Sequence, residues 1–311
     1  GAGVPASGSF PLAGGDDGAV TETEWTNALD AFLVTLGPGQ VSPLGRTTPE
    51  AHLAARLHCS THNRTAFLDS QDTGSADDLI NAAASDTTGG EEDRFGGLWG
   101  SWAVIPGLAA GTEREVPWSC VQAGIVARND GAGVSPAQPG AGQQFGRART
   151  VLRLTHTFSA PDRDRLTNAG INVARDDLGL VEGYGFRTQV DAVQVPQWRE
   201  LGQVRLIMAI VAQADAIAEA HLFAILDGRR HEIVKFGGEL TAMLIPFYED
   251  GSLYGNTPQE AFRVDVGPAV NTEATIAAGE LHAVIALRCS HMAELVFVEI
   301  VKVETTQALA A

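Results

Sequence analysis

Lysine is almost missing from this chain. Lys235 and Lys302 are the only two, and with arginine the cations number 21 against 38 Asp and Glu, a formal net charge of -17. Such a chain repels a phosphate backbone, and no local block of Lys or Arg offsets the repulsion, which argues against a nucleic-acid partner. Cysteine is scarce too: Cys59, Cys120 and Cys289 are odd in number and widely spaced. They form neither a disulfide framework nor a CxxC zinc site, and a reducing compartment fits them best. No run of 18 or more apolar residues is present, so no membrane insertion is expected. The chain opens Gly1-Ala2-Gly3-Val4 with no Met and no basic region leading into an apolar core, so no signal peptide is read and the true N-terminus is expected to lie elsewhere.

What is present is ordinary for globular protein: 311 residues, 44% hydrophobic and 19% charged, enough for two domains with a core each. A helix is expected from near Glu24, capped by Thr21 or Thr23, with Trp25, Leu29, Phe32, Leu33 and Leu36 on one face up to Gly37. Pro49 suits the first turn of a second helix carrying Leu53 and Leu57 to about Thr61, and a short strand follows at Ala66 to Leu68. Residues 69–93 read as a mobile, polar excursion with one helix near Asp77 to Ala84 and little chemistry. A strand is expected over Leu98 to Ile105, a helix from Pro117, a Gly- and Pro-rich loop over Val134 to Arg149, and a strand over Val151 to Phe158. Ile171 to Val173 and Gly183 to Val190 suggest a hairpin about Asp176-Asp177-Leu178-Gly179. The composition then changes: Trp198 to Leu226 is Ala-rich at helical spacing, and another helix runs from Glu232 to Ile245 before Pro246. Three strands close the chain, Ala261 to Val266, Leu281 to Leu287 and Leu295 to Val303. The expected class is α/β followed by a smaller α+β part, with domains 1–190 and 191–311.

Several motifs occur in a telling order: LAGGDDG at Leu12 to Gly18, VPWSCVQAGIVARND at Val116 to Asp130, and NAGINVARDDLGLVEGYGFRT at Asn168 to Thr188. A Gly255-Asn256-Thr257-Pro258 turn comes next, followed by Glu260-Ala261-Phe262-Arg263-Val264, Asn271-Thr272, Ile276 to Leu281, and Ala293-Glu294-Leu295-Val296. This order resembles the contractile phage-type tail sheath family. Trp118-Ser119-Cys120, Arg288 to Met292 and Gln189 depart from its pattern, and 40–111 matches little beyond element order.

The resemblance implies a subtilisin-like first domain, a C-terminal domain whose sheet is completed by exchanged strands, and an N-terminal arm that this chain starts too late to contain. It implies a structural subunit, not an enzyme, with no cofactor and no metal. Such subunits assemble as stacked hexameric rings in a helical lattice around an inner tail tube protein, meet baseplate and tail terminator proteins, and contract to drive the tube through an envelope. The location implied is a virion contractile tail, or an equivalent injection particle, assembled in the host bacterial cytoplasm. For strand exchange the candidates are Leu295, Phe297, Glu299, Val301 and Val303 on the last strand, then Glu304, Thr305, Gln307 and Leu309 in the tail, with a hinge over Glu304 to Gln307. Arg229, Arg230 and Lys235 are candidates for contact with the tube, against the alternative that they are a solvated helix end.

Other readings are weighed alongside. A sheath-related terminator or baseplate-proximal protein would share these motifs. A divergent subtilisin-like hydrolase would need Ser, His and Asp to converge, yet no GxSxG is present and His156 sits on an expected strand. Cys289-Ser290-His291 reads as a turn rather than a dyad. His58 and His62 at i,i+4 spacing, with His52 and Cys59 nearby, could hold a metal, but no second pair of ligands is apparent. GGDDG and Phe236-Gly237-Gly238 lack the context of a phosphate loop.

Overall fold

The computed structural model describes residues 18 and 20–294. Helix α1 (Glu22–Leu29) starts at Thr21, whose hydroxyl accepts from Glu24 N–H while Glu24 reaches back, a reciprocal capping box. It stops at Asp30, short of the expected Gly37. Arg64 is the reason: its guanidinium takes the carbonyls of Phe32 (2.7 Å), Leu33 (2.5 Å) and Gly37 (3.1 Å), holding that stretch out of α-helix apart from a single 3-10 turn at Val34–Leu36.

After β1 (Gln40–Val41), α2 (Pro49–Thr61) has the expected bounds. Its buried face is not the leucine face: Leu53 and Leu57 are exposed, whereas Ala51, His52, Ala55, Arg56, His58 and Cys59 point inward. β2 (Thr65–Asp69), α3 (Ala76–Asp86) and β3 (Gly96–Trp99) follow. The expected strand to Ile105 is two strands in different sheets, because the chain turns at Gly100-Ser101 into β4 (Trp102–Pro106). β5 (Glu113–Pro117), α4 (Trp118–Gly131), the short α5 (Gly142–Phe145), β6 (Arg153–Leu154), α6 (Ala160–Asn168), β7 (Ile171–Asp177) and β8 (Leu180–Tyr184) complete the first part. The sequence reading missed β5 and α6, the latter capped by Ser159.

A five-stranded sheet in the order β1-β2-β3-β7-β8 is parallel throughout except at β8, and β5-β4-β6 form a separate antiparallel sheet. Successive side chains of a strand face opposite ways. Ala66, Leu68, Leu98, Ile171 and Val173 therefore pack with α2, α3 and α6 on one face, while Phe67, Trp99 and Ala174 pack with Trp118, Ile125 and Val126 of α4 on the other. This is a mixed α/β layer with a core on each side.

The smaller C-terminal region holds α7 (Leu201–Ala220), α8 (His231–Glu249), α9 (Pro258–Ala261), β9 (Phe262–Asp265), α10 (Glu273–Ala277) and β10 (Val284–Leu287), with β9 and β10 antiparallel. α8 runs through Pro246 instead of stopping there. Its third core joins Leu206 and Ile210 to Leu244, Phe247, Leu253 and Phe262. Among the described helices only α7 is long and apolar enough to cross a membrane. Its first half is buried protein core, and Arg205 there pairs with Asp130 at 2.7 Å.

The stretch read as a mobile excursion supplies the main buried polar network. Arg56, fully buried, donates to Gln189 Oε1 (2.8 Å) and Asp86 O (2.6 Å) and lies 3.6 Å from the Asp86 carboxylate and 3.4 Å from that of Asp93. Asp86 Oδ2 also meets Gln189 Nε2 (2.7 Å) and His52 Nδ1 (2.8 Å). Removing one partner of such a group leaves the others charged and unsolvated. Asp86→Ala is expected to cost about 3 kcal/mol in urea unfolding; a loss under about 1 kcal/mol would mean that water reaches the network.

Candidate assembly surface

The candidate surface lies on the helical hairpin of α7 and α8. His221, which caps α7, is buried between two carboxylates of α8, with Nδ1 2.7 Å from Glu232 and Nε2 3.0 Å from Glu239, and its ring meets Phe236 edge-on. This pins the two helices together at their junction. The three cations proposed to touch a tube sit just beyond. Arg229 is exposed; Arg230, in the left-handed region at φ 60°, donates to Asn271 O at 3.0 Å; Lys235 lies 3.7 Å from Glu232 and 3.9 Å from Glu239. Asp227 takes His231 at 2.8 Å. The cations are thus interleaved with acids rather than forming a bare positive patch.

Sequence reasoning missed an apolar tip. Reading Trp198 to Leu226 as one helix hid that α7 ends at Ala220, after which Leu222, Phe223 and Ile225 project into solvent with Val234 of α8. Phe223 is fully exposed and has φ 63°, a backbone region that bulky side chains avoid. The strand-exchange candidates Leu295, Phe297, Glu299, Val301, Val303, Glu304, Thr305, Gln307 and Leu309 lie outside the described residues.

Among the described residues, the candidates for catalysis or metal binding do not converge. His58 accepts from Arg64 at 3.1 Å and stacks on His62 at 4.3 Å, and burial followed by His62 and Arg64 pushes its pKa down. Burial holds the Cys59 thiol far above its usual range. His52 is turned away toward Asp86 and Arg46 O. No group of three potential metal ligands occurs among the described residues. Cys289 is pushed up to about 11 by burial and by Glu200, while His291 faces Glu200 instead of that thiol.

The nearest thing to a triad is Asp69 at the end of β2 and Ser119 in the first turn of α4, with His52 nearby. Ser119 is wholly buried and its hydroxyl bonds Ser42 at 2.6 Å. Both His52 nitrogens are already engaged elsewhere, so no base addresses the serine. His156 pairs only with Asp72, at 3.5 Å.

No model of a known protein family matches the sequence, and no curated protein does. Solved structures do. A chain in the sixfold-symmetrised cryo-EM structure of the anti-feeding prophage baseplate is 19% identical, with a TM-score of 0.64 over 82% of this chain and 66% of that one. A chain of the sheath complex of an extracellular contractile injection system in its contracted state is 17% identical, with a TM-score of 0.71 over 84% and 70%. The fold is that of contractile tail sheath proteins. The sheath tail protein of Desulfitobacterium hafniense has the same fold at 13% identity, with a TM-score of 0.56 over 82% of this chain and 56% of that one. The present chain therefore spans about two thirds of the first two of these chains and just over half of the third.

Within this sheath fold Asp69 is a buried acid under strain. Gly45 N–H donates to its Oδ2 at 2.9 Å, yet Oδ1 has no partner, and burial pushes its pKa from 3.8 to about 6 against the pull of Ser119 and Gly45. The folded chain holds this proton more tightly than the unfolded chain, so stability is fully present below pH 3.8 and is lost as pH rises to about 6. Asp69→Asn keeps the acceptor for Gly45 without the charge. It is expected to stabilise the protein by about 2 kcal/mol at pH 7.5, a gain that fades by about pH 4; a difference independent of pH in chemical denaturation would contradict this.

Proposed function

We propose that the chain is a structural subunit of a contractile tail sheath, assembling in stacked hexameric rings around an inner tube and contracting to drive that tube through an envelope. The observation that carries this reading is the sheath fold over more than four-fifths of the chain, 84% in the contracted injection-system sheath. The motif order from Leu12 to Val296 supports it independently, because sequence order and backbone geometry are separate constraints. On this reading the first part, 1–190, is the subtilisin-like domain and 191–311 the tube-facing, strand-exchanging domain.

The apolar tip of Leu222, Phe223, Ile225 and Val234 suits an assembly protein, because a group of bare apolar side chains at one place fits contact with another chain. In the proposed lattice, 295–303 adds to a neighbour's sheet through main-chain hydrogen bonds and 304–311 reaches across as an arm. Arg229, Arg230 and Lys235 meet the tube, with Phe223 beside them as an apolar contact. Contraction draws on the difference in subunit contacts between an extended and a contracted lattice. Assembly takes place in the host cytoplasm, and the partners are further copies, the tube, the baseplate and a terminator.

A second reading, a baseplate-proximal relative, is favoured by the match to a chain in a baseplate structure. Electron microscopy of the concentrated full-length protein separates the two: hollow tubes with sixfold end views are expected, whereas a stable single ring favours the second. Deleting 304–311 should leave a folded monomer that forms no stacked tubes, and normal tubes would contradict the arm assignment. Arg229→Glu should weaken capture of purified tube protein about tenfold in low salt and much less in high salt; equal capture at both would remove these cations from the interface.

A further inference from the structure

After β10 the chain leaves the C-terminal region and runs back to the sheet layer as a strap, Cys289 to Glu294, held at almost every step. Cys289 bridges to Leu253, Ser290 N–H donates to Ser252 O at 2.9 Å, and Gln203 Nε2 donates to Ser290 O at 3.1 Å. Glu200, just before α7, accepts Met292 N–H at 3.1 Å and faces His291 Nδ1 at 2.8 Å. The strap ends at Glu294, whose carboxylate lies in the fork of Arg187. Arg187 Nε donates to Oε1 at 2.7 Å and its Nη2 donates to Oε2, with Arg199 3.7 Å from the same oxygen.

Arg187 is itself built in. Its side chain is 8% exposed, and its Nη1 donates to Thr167 O at 2.8 Å. The Asn172 side chain brackets its backbone, accepting Arg187 N–H at 2.7 Å and donating to Arg187 O at 2.8 Å. Asn172 belongs to β7, the sheet's last parallel strand. A planar guanidinium with one edge on a backbone carbonyl and the other on a carboxylate sets the direction of that carboxylate as well as its distance, which an ammonium cannot do.

We propose that Arg187 is the positioning residue of the C-terminal segment: by gripping Glu294 against the sheet layer it fixes where, and in which direction, residues 295–311 leave the body of the subunit. The consequence for assembly rests on the sheath reading. A segment of that length reaches at most about 60 Å when extended. Release of the strap would move its fixed point back toward β10 and add about 20 Å of slack, lowering the effective concentration of the segment at a neighbour's sheet.

The test uses the full chain with Glu294→Gln, Arg187→Gln and the double variant. Glu294→Gln is the decisive one, since Glu294 is half-exposed and borders no core. Hydrogen exchange in unassembled protein should quicken at the Ser290 and Met292 amides by about fivefold or more while the sheet keeps its protection. The concentration needed for tube formation should rise about tenfold, and the double variant should be no worse than the worse single one, the mark of a shared interaction. Unchanged exchange in Glu294→Gln, or additive effects in the double variant, overturns the proposal. Exchange that responds in a chain forming no tubes at any concentration overturns the sheath reading and leaves the clamp standing.

Discussion

A permanent positive charge buried at the centre of the sheet layer constrains the rest. Arg56 has no water to turn to, so acceptors must be brought to it from far along the chain: Asp86 from the end of α3, Asp93 from the turn before β3, and Gln189 from beyond β8. The close approach also shapes β3, since a side chain on Gly96 would meet both Arg56 and Gln189. Ion networks of this kind add little net stability over an apolar core but penalise any arrangement that leaves a member unpaired. Here the penalty falls on loops, which makes a loop-rich layer a single arrangement.

The same logic recurs at the junction of the two parts. Asn172 holds the backbone of Arg187, Arg187 holds Glu294, and Arg205 at the start of α7 pairs with Asp130 at the end of α4. These directional polar contacts add to an apolar joint, in which Leu201 of α7 packs into the core with Phe67 and Trp99. Polar contacts suit a joint that must keep its orientation, because their energy depends on angle, whereas apolar contact tolerates sliding.

Local chemistry was legible where one residue decides the outcome. Thr21, one of the two caps expected for the first helix, Pro49, Pro117, and the Leu178-Gly179 turn each marked its element. The failures have two kinds of cause. Leu53 and Leu57 marked the wrong face of α2, Arg64 ended α1 early from beyond the next helix, and Gly100 sent one apolar run into two sheets. At α1 and α2 tertiary contacts overrode a local preference, whereas at Gly100 the break is local and the apolar run around it hid it. The polar stretch over 69–93 misled most, because three acids that read as solvated surface are the partners and neighbours of a buried core.

By itself the sequence determined the helix that follows Pro117, the hairpin about Leu178-Gly179, the poverty in lysine and the motif order that points to a sheath, since each is written in neighbouring residues. The tertiary structure alone decided that Asn172, Arg187 and Glu294 form one chain of contacts. It also decided that Ser119 and His52 form no dyad, and that Arg229, Arg230 and Lys235 stand among acids rather than apart from them. Hydrogen bonds and ion pairs act over a few ångströms. Which groups come that close across a hundred residues of chain is a property of the folded path, and spacing in sequence carries no record of it.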